Sequence, residues 1–280
     1  MAIQLATQYL QYVDEVMKTA SVLPLISNND FKFTGASVIK LYKIGTAPMQ
    51  DYGRNSIKQG NWSHYGAVTT LDAATEEMKL TKDRSFTFEI DKLDTDETKQ
   101  NLEAAGALNR ELREVTIPEV DTYTYNAIVA KAGIKPAATT LTAANIYEEI
   151  TKGSEALDDE EVPESGRYIL VTPATLRLMK LNDKLTVNED VGKELRLQGV
   201  VATIDGANII KVPKSRLPEG FGFLYGHPCA AVAPTKLADY KIHVDPPGLS
   251  GSLVEGRINY DAFVLDNKVN ALYYQAVTTA

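Results

Sequence analysis

Residues 45–79 constrain the fold of this chain more than any other stretch. They lie between two strand-like runs, residues 37–44 (SVIKLYKI) and 85–91 (SFTFEID), and hold Gly45, Gly53, Gly60, Gly66 and Pro48 among polar side chains with no sustained period. A compact domain seldom tolerates a connection beyond about 12–15 residues without structure of its own unless that connection has a function or is disordered. Run out and back, each half would reach roughly 55 Å at about 3.3 Å per residue. A compact chain of this length has a radius of gyration of about 19 Å. An extended excursion therefore leaves its own subunit, and its natural partner is a second copy. Tyr52, Arg54, Trp62 and Tyr65 on it are candidate inter-subunit contacts. An aromatic outside the core either anchors such a contact or closes a local mini-core.

Elsewhere the pattern is more regular. Leu5, Tyr9, Tyr12, Val13, Val16 and Met17 recur at helical intervals, which predicts an amphipathic N-terminal helix set apart by Pro24 and the polar run at residues 27–30. We take this segment as an arm, with Leu5, Tyr9, Tyr12 and Val16 as further candidate inter-subunit contacts. In residues 85–91, Phe86, Phe88 and Ile90 share one strand face. Asp94 and Glu97 have the spacing of a helix cap and its reciprocal carboxylate, and Leu102, Ala105, Leu108, Leu112 and Val115 then repeat helically. With a kink near Ile117 imposed by Pro118, a nearly continuous helix over residues 95–131 would span roughly 55 Å at about 1.5 Å per residue.

The second half mixes helices and strands. Residues 143–157 read as a helix capped by Thr142, and residues 167–171 as a buried strand. Thr172-Pro173 starts another helix, with Leu176 and Met179 facing inward. Asp205-Gly206 supplies the turn of a hairpin over residues 199–212. Strands follow at 221–225, 239–244, 253–265 and 269–277. The fold class is α+β.

Reactive groups are few. The only cysteine, Cys229, follows His227-Pro228, and an extended stretch does not converge the two side chains, so a small apolar cysteine is expected. His64 and His243 have no paired metal-ligand spacing, no phosphate-binding loop is present, and Asp91, Asp94 and Asp96 lack the glycine and distal glutamate of a calcium loop. The acidic run at residues 158–161 reads as a solvated turn. We expect no catalytic, cofactor or metal site, hence no enzyme. With 37 acidic against 29 basic side chains, a net charge of −8 excludes a surface that grips nucleic acid everywhere. No run approaches the roughly 20 apolar residues of a spanning helix, and no signal peptide is visible.

Five stretches in this order, DRSFTFEID (83–91), EVTIPEVDTY (114–123), SEALDDEEVPESGRYILVTP (154–173), DGANIIKVPKSRLP (205–218) and LADYKIHVDPPGLSGSLVEGRINYDAFVLDNK (237–268), resemble major capsid proteins of tailed phages and prophages of Gram-positive bacteria. The fold implied is the Hong Kong ninety-seven type, shared with encapsulins. The resemblance implies an N-terminal arm at 1–35, an extended E-loop hairpin at 36–95, a peripheral domain with a long spine helix at 96–134, an axial domain at 135–232, and returning peripheral strands at 233–280. It implies self-assembly through pentamers and hexamers into an icosahedral virion shell, built in the bacterial host cytoplasm around double-stranded DNA that it touches only weakly. A portal and a separate scaffolding protein, or no scaffold, would be its partners.

An encapsulin-like compartment shell, and a soluble α+β enzyme whose long loop is an active-site lid, are the other two readings. The best-known capsid of this type cross-links a lysine to a neighbour's asparagine through a glutamate. Lys58, Lys79, Asn267 and Glu255 supply the residue types but match no such site residue by residue, so a single monomer band, not a ladder, is expected on denaturing, reducing gels.

Overall fold

The computed structural model describes residues 21–28, 38–44, 46–54, 63–68, 70, 73–97, 103–182 and 200–278. It divides into a larger unit, Met1–Lys32 with Thr81–Ala280, and a smaller one, Phe33–Leu80.

The larger unit opens with one helical turn, α1 (Leu23–Ile26). Ser27 Oγ donates back to Leu23 O at 2.8 Å and the Asn28 N–H donates to Ala231 O at 2.7 Å, which ties the turn to the body of the unit. The smaller unit then contributes β1 (Val38–Ile44) and β2 (Ala73–Lys79), paired antiparallel from Val38↔Lys79 to Ile44↔Ala73. The second of these strands, AATEEMK, has no clear alternation and only Thr75 as a β-branched residue to announce it.

The chain re-enters the larger unit with β3 (Lys82–Asp91), α2 (Lys92–Glu97), α3 (Ala104–Glu111), a π-helical turn (Leu112–Thr116) and α4 (Ile117–Lys131). Asp91, not Asp94, caps α2: its Oδ1 accepts the Leu93 N–H at 2.8 Å. Glu103 is extended at φ −85°, ψ 136°, so the long helix starts at residue 104 and runs roughly 42 Å at about 1.5 Å per residue. Pro118 does not interrupt it. The missing N–H at Pro118 is absorbed by the π turn just before it, where the Ile117 N–H reaches back to Leu112 O and the backbone stays helical.

Next come α5 (Ile146–Asp159), β4 (Tyr168–Val171), α6 (Pro173–Lys180), β5 (Val200–Ile204), β6 (Ala207–Lys211) and β7 (Phe221–Gly226). The chain closes with β8 (Ala231–Val232), β9 (Thr235–Val244), β10 (Gly251–Tyr260), β11 (Phe263–Val264) and β12 (Leu272–Ala276). Thr172 caps α6 as read from the sequence, its hydroxyl accepting the Thr175 N–H at 3.1 Å. The β5–β6 turn has φ +46° at Asp205 and +77° at Gly206, the two positive values this turn demands. The helix at 143–157 begins later than its Thr142 signal, because Thr142 and Asn145 first bond each other across a preceding turn.

Five strands form one sheet in the order β12-β7-β4-β6-β5, with β4 and β6 parallel and the other pairs antiparallel. Both of its faces are covered. Tyr168 and Leu170 point with Leu224 and Leu272 toward α1 and the Tyr125–Ile128–Val129 face of α4. Ile169 and Val171 point with Phe223 and Tyr225 toward Ile146, Ile150 and Leu157 of α5 and Leu176 and Met179 of α6. A continuous apolar strand is what burial on two sides requires. Gly153 lets α5 approach closely: a Cβ there would lie 3.2 Å from the rings of Tyr225 and Tyr273.

A second sheet, β3-β10-β9, is antiparallel throughout, with ten residue pairs between β3 and β10 and nine between β10 and β9. This pairing puts β3 in the larger unit, and β12 pairs with β7 of the five-stranded sheet. The run at 253–265 ends as a strand at Tyr260, after which the Asp261 carboxylate accepts the Thr81 and Ala262 N–H groups.

Phe86 lies across Gly256 on the adjacent strand and stacks on Tyr240, with ring centres 6.2 Å apart. An aromatic over a strand glycine covers backbone that the glycine leaves bare. A Cβ at Gly256 would meet the Phe86 ring at 2.3 Å. Gly256→Val is expected to cost about 1–3 kcal/mol by overpacking in urea unfolding. Combined with Phe86→Ala it should cost less than the sum of the two single changes, because the collision is gone.

Candidate assembly interface

The smaller unit is a ribbon whose two arms are stitched beyond the β1–β2 ladder. Lys40 and Glu77, directly opposite, meet at 2.6 Å, and Lys43 meets Glu76 at 2.9 Å. The Lys40 ammonium holds the Glu77 carboxyl below its ordinary pKa by hydrogen bond and charge. Farther out, Gln50 stands in for a strand: its Oε1 accepts the Ala67 N–H at 2.9 Å and its Nε2 donates to Ala67 O at 3.3 Å. The Gly53 N–H donates to His64 O at 2.9 Å, and His64 Nδ1–H returns a bond to Gly53 O at 2.7 Å. Gly66 is required here twice over, since its φ is +83° and a Cβ would fall 1.9 Å from Gln50 Oε1.

This scaffold displays apolar groups. Tyr52 packs edge-on against Tyr65 at 5.0 Å and against His64 at 5.5 Å, yet Tyr65 is 79% exposed, Val68 73% and Met49 98%. Satisfied backbone carrying bare aromatic and aliphatic surface is the arrangement expected where a partner docks. The structure thus brings together Tyr52 and Tyr65, with Arg54 exposed on the same ribbon. Leu5, Tyr9, Tyr12, Val16 and Trp62 lie outside the described residues. Gln50 and Met49 carry no sequence signal, since nothing in sequence marks a carboxamide that substitutes for backbone, and His64, set aside as a metal ligand, bonds the Gly53 backbone instead.

In the larger unit, the N-terminal segment, α4 and the stretch after β6 meet at Asp121. This residue is 1% exposed; its Oδ2 accepts from Arg216 Nη1 at 2.8 Å and its Oδ1 from Ser21 Oγ at 2.6 Å. Burial pushes the Asp121 carboxyl above its ordinary pKa, against the opposing pull of Ser21 and Arg216. Beside it a cavity of about 340 Å³ opens between α1, Ile117 and Val120 of α4, and Tyr240 and Ile258 of the second sheet.

Groups with reactive potential are engaged structurally. His227 Nδ1 accepts the Cys229 N–H at 3.2 Å while its Nε2–H donates to Ser165 O at 3.0 Å. Burial pushes the half-buried Cys229 thiol up, away from a thiolate. Asp158 of the acidic run pairs with the buried Arg167 at 2.7 Å. Glu255 faces His243 across the second sheet at 3.2 Å. Among the described residues no three His, Cys, Asp or Glu side chains form a metal-binding group.

Two substitutions test these assignments. Gly66→Ala should break the Gln50–Ala67 stitch and raise amide exchange across residues 50–67 without lowering the stability of the larger unit. Asp121→Ala should lower stability by about 3–5 kcal/mol in denaturant unfolding, because it removes the buried carboxylate that faces the Arg216 guanidinium and the Ser21 hydroxyl.

No family model and no curated protein matches the sequence. Solved structures do. A structure of Mycobacterium phage Che8 overlays with a TM-score of 0.72 at 16% identity, covering 98% of this chain and 96% of that one. The capsid structure of cyanophage P-SCSP1u gives 0.71 at 13% identity, over 99% and 93%. The mature capsid of bacteriophage PhiM1 gives 0.69 at 13% identity, over 99% and 93%. The chain therefore has the α+β fold of tailed-phage capsid structures of the Hong Kong ninety-seven type.

Proposed function

We propose that this protein is a major capsid subunit that assembles, through pentamers and hexamers, into the icosahedral shell around a tailed phage's double-stranded DNA. The observation that carries this reading is the extent of the structural likeness: nearly the whole of this chain overlays nearly the whole of each capsid chain. A ribbon bearing exposed aromatics on a well-bonded backbone suits a heterologous contact, and heterologous contacts that close generate rings and shells.

In this reading the hairpin of the smaller unit is the extended loop that lies on a neighbouring copy, and residues 1–35 form the arm. The long helix and the β3-β10-β9 sheet make the peripheral part, and most of residues 135–232 make the axial part around the symmetry axes. A portal and a scaffolding protein are the further partners. The acidic balance of −8 suits a wall that does not hold DNA as it enters and leaves.

Electron microscopy of the purified protein should show closed shells, and a monomer at every concentration would refute the reading. Tyr52→Ala with Tyr65→Ala should abolish shells while changing stability by no more than about 0.5 kcal/mol, as expected for exposed positions. Shells of normal size and yield from that variant would remove the ribbon aromatics from the interface.

A further inference from the structure

Asp261 follows β10 with no motif to mark it, and it is 4% exposed. Its carboxylate is filled by four neutral donors. Oδ2 accepts the Thr81 N–H and the Thr81 hydroxyl, each at 2.8 Å. Oδ1 accepts the Tyr123 hydroxyl at 2.7 Å and the Ala262 N–H at 2.8 Å. Burial and the hydrogen bond to this carboxylate push the Tyr123 hydroxyl above its ordinary pKa.

The identity of the held residue is informative. Thr81 is the first residue of the larger unit after the hairpin, and it is exposed, so half of a buried carboxylate is directed at a surface residue. A buried carboxylate is costly unless its lone pairs are satisfied, and here one whole oxygen serves Thr81. The residues that follow are tied down the same way. Lys82 Nζ lies 5.0 Å from the centre of the Tyr123 ring, and Asn259 Nδ2 donates to Lys82 O at 3.2 Å. Arg84 Nε donates to Glu119 Oε1 at 2.7 Å, and Tyr260 packs edge-on against Tyr123 at 5.7 Å. The start of β3 is thereby bound both to α4 and to the end of β10.

We propose that Asp261 is a positioning residue: its carboxylate clasps Thr81 against α4 and the end of β10, and shell assembly requires this clasp. The second half of the statement rests on the capsid reading; the first does not. Asp261→Asn keeps the shape but presents an amide donor where an oxygen had accepted. Hydrogen exchange of the Thr81 amide in the soluble protein should accelerate by roughly tenfold or more, the loss expected for a bond to a charged acceptor. Shell yield should fall with it, fall also for Thr81→Val and Tyr123→Phe, and recover in Thr81→Ser, which keeps the hydroxyl.

Unchanged exchange at Thr81 in D261N would overturn the clasp. Normal shells from D261N with fast exchange would overturn its link to assembly. Should D261N fail to fold, normal shells from both T81V and Y123F would overturn the proposal. A wild-type protein that forms no shells would defeat the capsid reading, while the exchange measurement would still decide the clasp.

Discussion

Four residues without solvent on either side, Tyr168–Val171, set the requirement that organises the larger unit. A strand that is apolar on both faces must be covered twice, and the chain meets this with α4 and α1 on one side and α5 and α6 on the other. The long helix is thereby a core element along its C-terminal half, through Tyr125, Ile128 and Val129, and a support for the second sheet along its N-terminal half. One helix serving two sheets explains why it tolerates Pro118 only with a π turn: a kink at that point would pull one sheet away from the other.

Two buried carboxylates on or beside this helix do what apolar packing cannot, which is to specify particular partners. Asp121 selects Arg216 and Ser21, and Asp261 selects Thr81 and Tyr123. Contacts of this kind contribute little net stability once desolvation is counted, but leaving one partner unmet is expensive. They fix how Ser21 and the start of β3 attach to the larger unit. Among its described residues the hairpin is ordered by backbone pairing and the Gln50 stitch, while Met49, Tyr65 and Val68 stand exposed.

Much of the fold was legible. The Thr172 cap, the Asp205-Gly206 turn, the alternation in β3 and the inward face of α6 are all written in adjacent residues, and the aromatics of residues 45–79 stand out as partner contacts or a local mini-core. Less legible were β2, whose AATEEMK lacks strand chemistry and is held by its partner, and the caps of α2 and α5. At α2 two equally suitable acceptors, Asp91 and Asp94, stand within a few residues and Asp91 takes the cap; at α5 the Thr142 hydroxyl accepts the Asn145 N–H as its signal suggests, but the regular helix starts only at Ile146. In the candidate interface Tyr52 and Tyr65 were visible in the sequence, while Gln50 and Gly66 were not, because their roles exist only when the arms lie side by side.

The sequence by itself determined what depends on a few neighbouring residues: helix caps, a two-residue turn, which strand faces are apolar, and that one long segment cannot belong to a compact core. The tertiary structure decided what depends on residues far apart. Thr81 and Asp261 are 180 positions apart, Asp121 and Arg216 are 95, and Phe86 finds Gly256 only through the register of two strands. A local signal is written in adjacent side chains whose geometry the backbone fixes. A buried carboxylate chooses its donors only after the sheet, the long helix and the chain ends have been packed around it.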